Sequence, residues 1–342
     1  MNIVHANGFE QDCAITAYTN GSYTVSGTVD PSDTAQAHAN SVGYGYGSRS
    51  CSISSGGTFQ SPAFTPGGGG SFASGTIQFS FYQAGSFANG VIASVIGASG
   101  NAICSVESTG SGSTTTLTLK HHTTTLATTT ATIAAAAWVK ITIIWAVTGS
   151  NIQCSLYLDG SLVGRGSTTN SVTVTTGKYK LQAPGSSTAY FDHLVLANDA
   201  GPKNNESMWI QGILGDSDDS AGPWTPQSGS TLFEAVDSPV DGNFAKANTG
   251  GTFQLTLQGR RDVDARYTDP EVLGVHVSAV AQGDATLTAS ELQLNLGVSS
   301  STDTYSMTSS VKIVENTVGS KPGGSTWDFT DIDNLKIGYN AS

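Results

Sequence analysis

Two neighbouring runs, "WVKITIIWAV" (138–147) and "IQCSLYLDGSLVGRG" (152–166), decide the fold. In the first, Val139, Ile141, Ile143 and Trp145 fall on one side of an extended chain and Lys140 and Thr142 on the other. Period-two alternation is the signature of a strand with one face against a core. In the second, Cys154, Leu156 and Leu158 alternate inward and Asp159–Gly160 follows before a further alternating run. Asp-Gly between two alternating runs predicts a tight hairpin, because both turn positions need positive φ.

The pattern spreads outward in both directions. "TIQFSFYQ" (76–83) alternates through Ile77, Phe79 and Phe81; "VIASVIG" (91–97) and "NAICSVES" (101–108) are parted by a turn at Ala98–Gly100; "TTTLTLKHH" (114–122) alternates through Leu117 and Leu119. The second half repeats the texture in "GTFQLTLQG" (251–259), "LGVHVSAVA" (273–281), "ASELQLNLGV" (289–298) and "SSVKIVENT" (309–317). Helix signals are scarce, and the run Ala134–Ala137 is too short to stand as a helix. Short strands with closely spaced turns predict antiparallel sandwiches rather than parallel βαβ units. The expected class is all-β, with two antiparallel β-sandwich domains.

At 342 residues the chain suits two such domains. Hydrophobic residues reach 38% and charged residues only 12%, which excludes a disordered polyelectrolyte. The net charge of −12 is unevenly placed. Residues 1–205 hold seven Lys/Arg against eight Asp/Glu, a net −1, and residues 206–342 hold seven against eighteen, a net −11. The step coincides with the polar spacer "NDAGPKNNES" (198–207), which sets the expected domains at 1–205 and 206–342. An acidic chain repels phosphates, so no nucleic-acid partner is expected. No run approaches the roughly 20 apolar residues of a membrane span. "MNIVHANGFE" (1–10) has neither a basic nor an apolar leader region, so no Sec signal is expected. Cys13, Cys51, Cys104 and Cys154 lack CxxC spacing, which argues against zinc; free buried thiols are expected, with a disulfide in an exported particle as the alternative.

Several features of residues 1–200 resemble the concanavalin A-like, laminin-G-like jelly roll: an early "NGFE" (7–10), "GTIQFSFY" (75–82), the Trp-led strand, the "LYLDGSLVG" hairpin (156–164) and a closing "AYFDHLVLAND" (189–199). The resemblance implies that the first and last strands pair in one sheet, which sets "NIVHANGFE" beside "YFDHLVLAN". The continuation is similar to a tailed-bacteriophage structural protein family, through Leu214–Asp216, Trp224–Pro226, Ser228–Gly229 and Val236–Asp237. That likeness implies a virion component without catalytic duty: a head decoration, head fibre or tail-associated protein, assembled in the bacterial cytoplasm and held to other virion proteins. By analogy with fibres and decorations it implies a homo-oligomer, with a trimer favoured. The alternative is a carbohydrate-binding module that attaches the particle to host or environmental glycans.

Candidate sites are few. Asp192–His193 are strand neighbours and point to opposite faces unless a bulge intervenes, so one side chain is expected in solvent and the other on a loop; Asp192 keeps a calcium or glycan alternative. His121–His122 are spaced wrongly for a strand-borne metal pair and read as a solvated strand end. Asp216, Asp218 and Ser220 have EF-hand spacing, but Ala221 stands at the sixth position and Gln227 at the twelfth, so an acidic turn is expected. Arg260, Arg261 and Arg266 alternate with Asp262 and Asp264 and read as a solvated loop or a salt-bridged subunit contact. "GYGYG" (43–47) and "PGGGG" (66–70) lack the Lys and helix of a phosphate loop. Lectin-like glycosidases carry two Glu on one strand face, whereas no two Glu here lie within five residues of each other. Neither GxSxG nor HExxH occurs. No catalytic residue, cofactor or metal is therefore expected.

Overall fold

The alternating runs become strands because each can bury one face only against a second sheet. The computed structural model describes residues 3–9, 14–36, 49–66, 70–198, 215–236, 244–257 and 271–342. The chain divides into two compact units. In chain order its early elements are β1 (Ile3–Asn7), α1 (Ile15–Asn20), β2 (Thr24–Ser26), β3 (Val29–Asp33), β4 (Ser50–Ile53), β5 (Thr58–Gln60), β6 (Ser74–Gln83), β7 (Gly90–Gly97) and β8 (Ala102–Thr109). They continue with β9 (Thr114–His121), β10 (Thr124–Ala134), β11 (Val139–Thr148), β12 (Asn151–Leu158), β13 (Ser161–Thr169), β14 (Gly177–Gln182) and β15 (Ala189–Ala197).

The first unit, which takes all of these except α1, is a sandwich of two antiparallel sheets. One sheet runs β13-β12-β11-β6-β15-β4-β3 with β1 also on β15; the other runs β10-β9-β8-β7-β14-β5-β2; every pairing is antiparallel. β1 pairs with β15 from Ile3 opposite Ala197 to Asn7 opposite Leu194, as the jelly-roll likeness implies. β4 occupies the same edge of β15 further along, at Ala189–Phe191. The core lies between the sheets: Ile77, Phe79, Phe81, Ile141, Ile143, Trp145 and Phe191 face Phe59, Val95, Val106, Leu117, Leu119 and Leu181, all buried. The predicted hairpin forms at Asp159 and Gly160, with φ of 44° and 80°, the two positive φ values of a type I′ turn. The Asp159 carboxylate also accepts the Lys140 N–H at 2.9 Å.

The second unit contains β16 (Gly215–Ser220), β17 (Trp224–Pro226), α2 (Leu232–Val236), β18 (Ala245–Ala247), β19 (Gly251–Leu257), β20 (Val275–Ala281), β21 (Ala289–Leu296), β22 (Ser299–Ser306), β23 (Lys312–Val318), α3 (Phe329–Asp333) and β24 (Lys336–Ala341). A five-stranded sheet β16-β19-β24-β21-β22 is joined by the ribbons β20-β23 and β17-β18. Phe253, Leu255, Leu292, Leu294 and Tyr339 of the sheet pack with Val277 and Val314 of the first ribbon and with Trp327 and Leu335. α1 belongs here as well: Ala17 and Tyr18 are buried, and the Asn20 amide donates to the Val311 carbonyl at 2.6 Å. A segment from the start of the chain thus contributes to the second unit, which nothing in the sequence pattern announces.

Candidate functional site

In β14, Tyr179 and Leu181 enter the core, so Lys178, Lys180 and Gln182 stand on the outer face of the seven-stranded sheet. Register carries that face across the other strands. Lys180 lies opposite Gln60 on one side and Ser94 on the other; Ser94 lies opposite Ser105, Ser105 opposite Lys120, and Lys120 opposite Thr125. Gln60 continues the row to Thr24. One polar row thus crosses all seven strands, about 29 Å at the usual strand spacing.

The row dips into a shallow depression of roughly 200 Å³ lined by Ser94, Ser105, Glu107, His122, Lys180 and Gln182, with Val91, Ile96, Gly100 and Ala102 completing it. Ser94 and Ser105 form a nearly buried floor; Glu107, Lys180 and Gln182 rise around it partly exposed, and His122 is exposed. Glu107 is held by Lys120 at 2.6 Å. The depression therefore offers hydroxyls, an amide, an imidazole, an ammonium and a carboxylate, which between them donate and accept hydrogen bonds. It has no second carboxylate, so the pair that glycosidic hydrolysis needs is missing from it. Nor does any Trp, Tyr or Phe line it.

His122 was expected in solvent, and it is: it sits exposed past the end of β9 with φ of 50° and contributes to the depression. His121, expected beside it in solvent, is buried instead. Its Nε2 accepts from the Ser171 N–H at 3.1 Å, which assigns the proton to Nδ1, 2.8 Å from the Ile103 carbonyl. The correction has a simple cause: His121 continues the inward alternation of Leu117 and Leu119, and its two ring nitrogens satisfy backbone groups there.

The reading of Asp192–His193 also needs correcting. Neither side chain is in solvent; they are 0% and 4% exposed. β15 carries one extra residue between Asp192, opposite Ser80, and Val195, opposite Gln78. His193 takes φ of 48°. That bulge breaks the strict alternation, so the His193 N–H reaches the Asp192 carboxylate at 2.6 Å and its Nε2 lies 3.8 Å from the other oxygen. Asp216, Asp218 and Ser220, expected in an acidic turn, lie in strand β16 on β19. The Asp218 carboxylate accepts the N–H groups of Leu232 at 2.8 Å and Phe233 at 2.7 Å, and so caps α2. Among the described residues no group of three or more His, Cys, Asp or Glu could hold a metal ion. Cys51, Cys104 and Cys154 are free and buried; burial pushes all three thiols up, Cys154 to about 12. Cys13, "GYGYG", residues 67–69 of "PGGGG" and the whole of Arg260–Arg266 lie outside the described residues.

Sequence reasoning missed the polar row. Each strand contributes only one or two small polar residues to it, and only the register brings them into line.

The opposite outer face, on the eight-stranded sheet, is buried at its centre and exposed towards the β13 edge, at Gln153 and Arg165. Thr76, Gln78, Ser80, Lys140, Thr142 and Asp192 are all buried there. Tyr82 packs against Trp138 at 5.5 Å and edge-on against Tyr190 at 5.8 Å on the same side.

No protein-family model and no curated protein matches the chain. Among solved structures, the cellulose induced protein Cip1 is 15% identical with a TM-score of 0.37, over 57% of this chain and 97% of that one. Domain 4 of AbnA, an extracellular GH43 arabinanase from Geobacillus stearothermophilus solved with arabinotriose, is 12% identical with a TM-score of 0.38, over 58% and 94%. Peanut lectin with a 9mer peptide is 12% identical with a TM-score of 0.35, over 52% and 92%. At TM-scores this low the likenesses carry no argument about ligand or chemistry.

Proposed function

We propose that the chain is a non-enzymatic glycan-binding protein whose contact surface is the outer face of the seven-stranded sheet. The observation that carries this reading is the in-register row Gln60–Lys180–Ser94–Ser105–Lys120 with its open depression. A hydroxylated ligand needs closely spaced donors and acceptors on a rigid support, and a paired sheet supplies that rigidity. With Glu107 the single carboxylate in the depression, and that one ion-paired, no acid–base pair flanks a scissile bond. The test is to incubate the full chain with a panel of soluble polysaccharides, following retardation in affinity gels and release of reducing ends. Retardation by at least one polysaccharide with no new reducing ends is the expected result. Retardation by none, or sustained release of reducing ends, overturns the reading.

A second reading sets this protein in the virion of a tailed phage, held by protein contacts as a homo-oligomer. What favours it is the run of phage-like motifs, Trp224–Pro226 among them. Trp224 donates from Nε1 to the Gly251 carbonyl at 2.8 Å and packs edge-on with Phe253 and Tyr339, so that motif serves the architecture of the second unit. The strongly acidic 206–342 half supplies a surface for a basic partner. Finding the chain in purified particles supports this setting; finding it only free in the medium removes it.

A further inference from the structure

Resting on the glycan reading, we infer that the ligand of the seven-stranded face is a carboxylated polysaccharide, a polyuronate, rather than a neutral one. The charge on this face runs against that of the chain. The whole protein carries 26 acidic and 14 basic residues. The seven strands of this sheet carry one acid, Glu107, and three lysines, Lys120, Lys178 and Lys180. Glu107 is spent on Lys120. Among the described residues, Lys178 and Lys180 have no carboxylate within ion-pair distance, and both are partly exposed on the outer face.

The placement suits a chain of repeated carboxylates. Lys178 and Lys180 are two residues apart on one side of β14, so their stems rise about 7 Å from each other. Lys180 borders the depression, with Ser94 in register beside it and Gln182 two residues on. An ammonium that meets a carboxylate gains a charge-assisted hydrogen bond, while Ser94, Ser105, Gln60 and Gln182 remain for the sugar hydroxyls. A nucleic acid is also polyanionic. The lining, however, holds no Trp, Tyr or Phe on which a base could stack and no arginine.

A matched pair of polymers tests this: polygalacturonate and its methyl ester share a backbone and differ in charge. Titrating the full chain with each should show polygalacturonate bound at least about tenfold tighter, with the preference falling as salt rises. Lys178→Gln with Lys180→Gln should erase the preference, and Lys178→Arg with Lys180→Arg should keep it, far-ultraviolet circular dichroism confirming the fold of both. Equal affinity for the two polymers, or tighter binding of the ester, overturns the inference and leaves the glycan reading standing. A preference that survives the double Gln variant also overturns it. Failure of every polysaccharide to bind removes the glycan reading itself. Single-stranded DNA bound as tightly as polygalacturonate through the same two lysines overturns the choice of polymer class.

Discussion

Lys140 alternates with Val139 and Ile141 and so points away from the core, yet it is only 8% exposed. Burial drives its ammonium down to about 7, and the charge of Asp159 only partly opposes this. The sign of the consequence follows from linkage. Below pH 7 the folded and unfolded chains are both protonated and the full cost of the buried charge is present. Between about 7 and the ordinary 10.5, the unfolded chain holds a proton the folded one has lost, so stability rises with pH. Lys140→Met should therefore unfold at higher denaturant than the wild type at neutral pH, by on the order of 1–4 kcal/mol. The gap should narrow as the pH approaches that of a free lysine, and parallel stability curves across that range would contradict this account. The alternation at Lys140 could be read from sequence; its burial could not, because one strand does not reveal what covers its far side. Asp192–His193 and His121 were misread for related reasons. A bulge leaves no mark in the residues that form it, and a strand-end histidine looks solvated until its hydrogen-bond partners are known.

At the scale of elements, legibility followed hydrophobic period. β6, β9, β11, β12, β19, β20 and β21 coincide with runs whose Ile, Leu, Val or Phe alternate, and β7, β8 and β23 with denser apolar runs. The elements that escaped notice are held by pairing more than by their own apolar pattern. β10 reads "TTLATTTATIA" and lies on the sheet edge with two register shifts; β22 reads "SSSTDTYS" and forms because a two-residue turn at Gly297–Val298 folds it back on β21. β3 contains Pro31 and is also an edge strand, where the missing N–H breaks no ladder. Glycine placement was equally silent. Gly75 of β6 lies in register with Trp145 of β11, whose buried indole donates to the Phe72 carbonyl at 2.8 Å. A Cβ on Gly75 would overlap that ring. Gly75→Ala should destabilise the first unit by roughly 1–3 kcal/mol, with altered tryptophan fluorescence before unfolding. An unchanged urea midpoint would show that Trp145 has room to move.

At the scale of the whole molecule, sequence reasoning reached the all-β class from patterns that run along the chain, and the resemblance to the jelly roll implied the pairing of the first and last strands of the first unit. The candidate site was not legible, because it runs across the strands. Its polar row, its depression and its local excess of lysine exist only once seven strands stand in register, and an acidic average hides them. In the first unit the eight-stranded sheet buries polar groups at the centre of its outer face, whereas the seven-stranded sheet carries its polar row into an open depression. The most direct test is a crystal structure of the full chain soaked with an oligogalacturonate. The account predicts an uncleaved oligosaccharide lying over Ser94, Ser105 and Lys180; a saccharide seated instead against Tyr82, Trp138 and Tyr190, a shortened product, or a bare seven-stranded face at saturating ligand would contradict it.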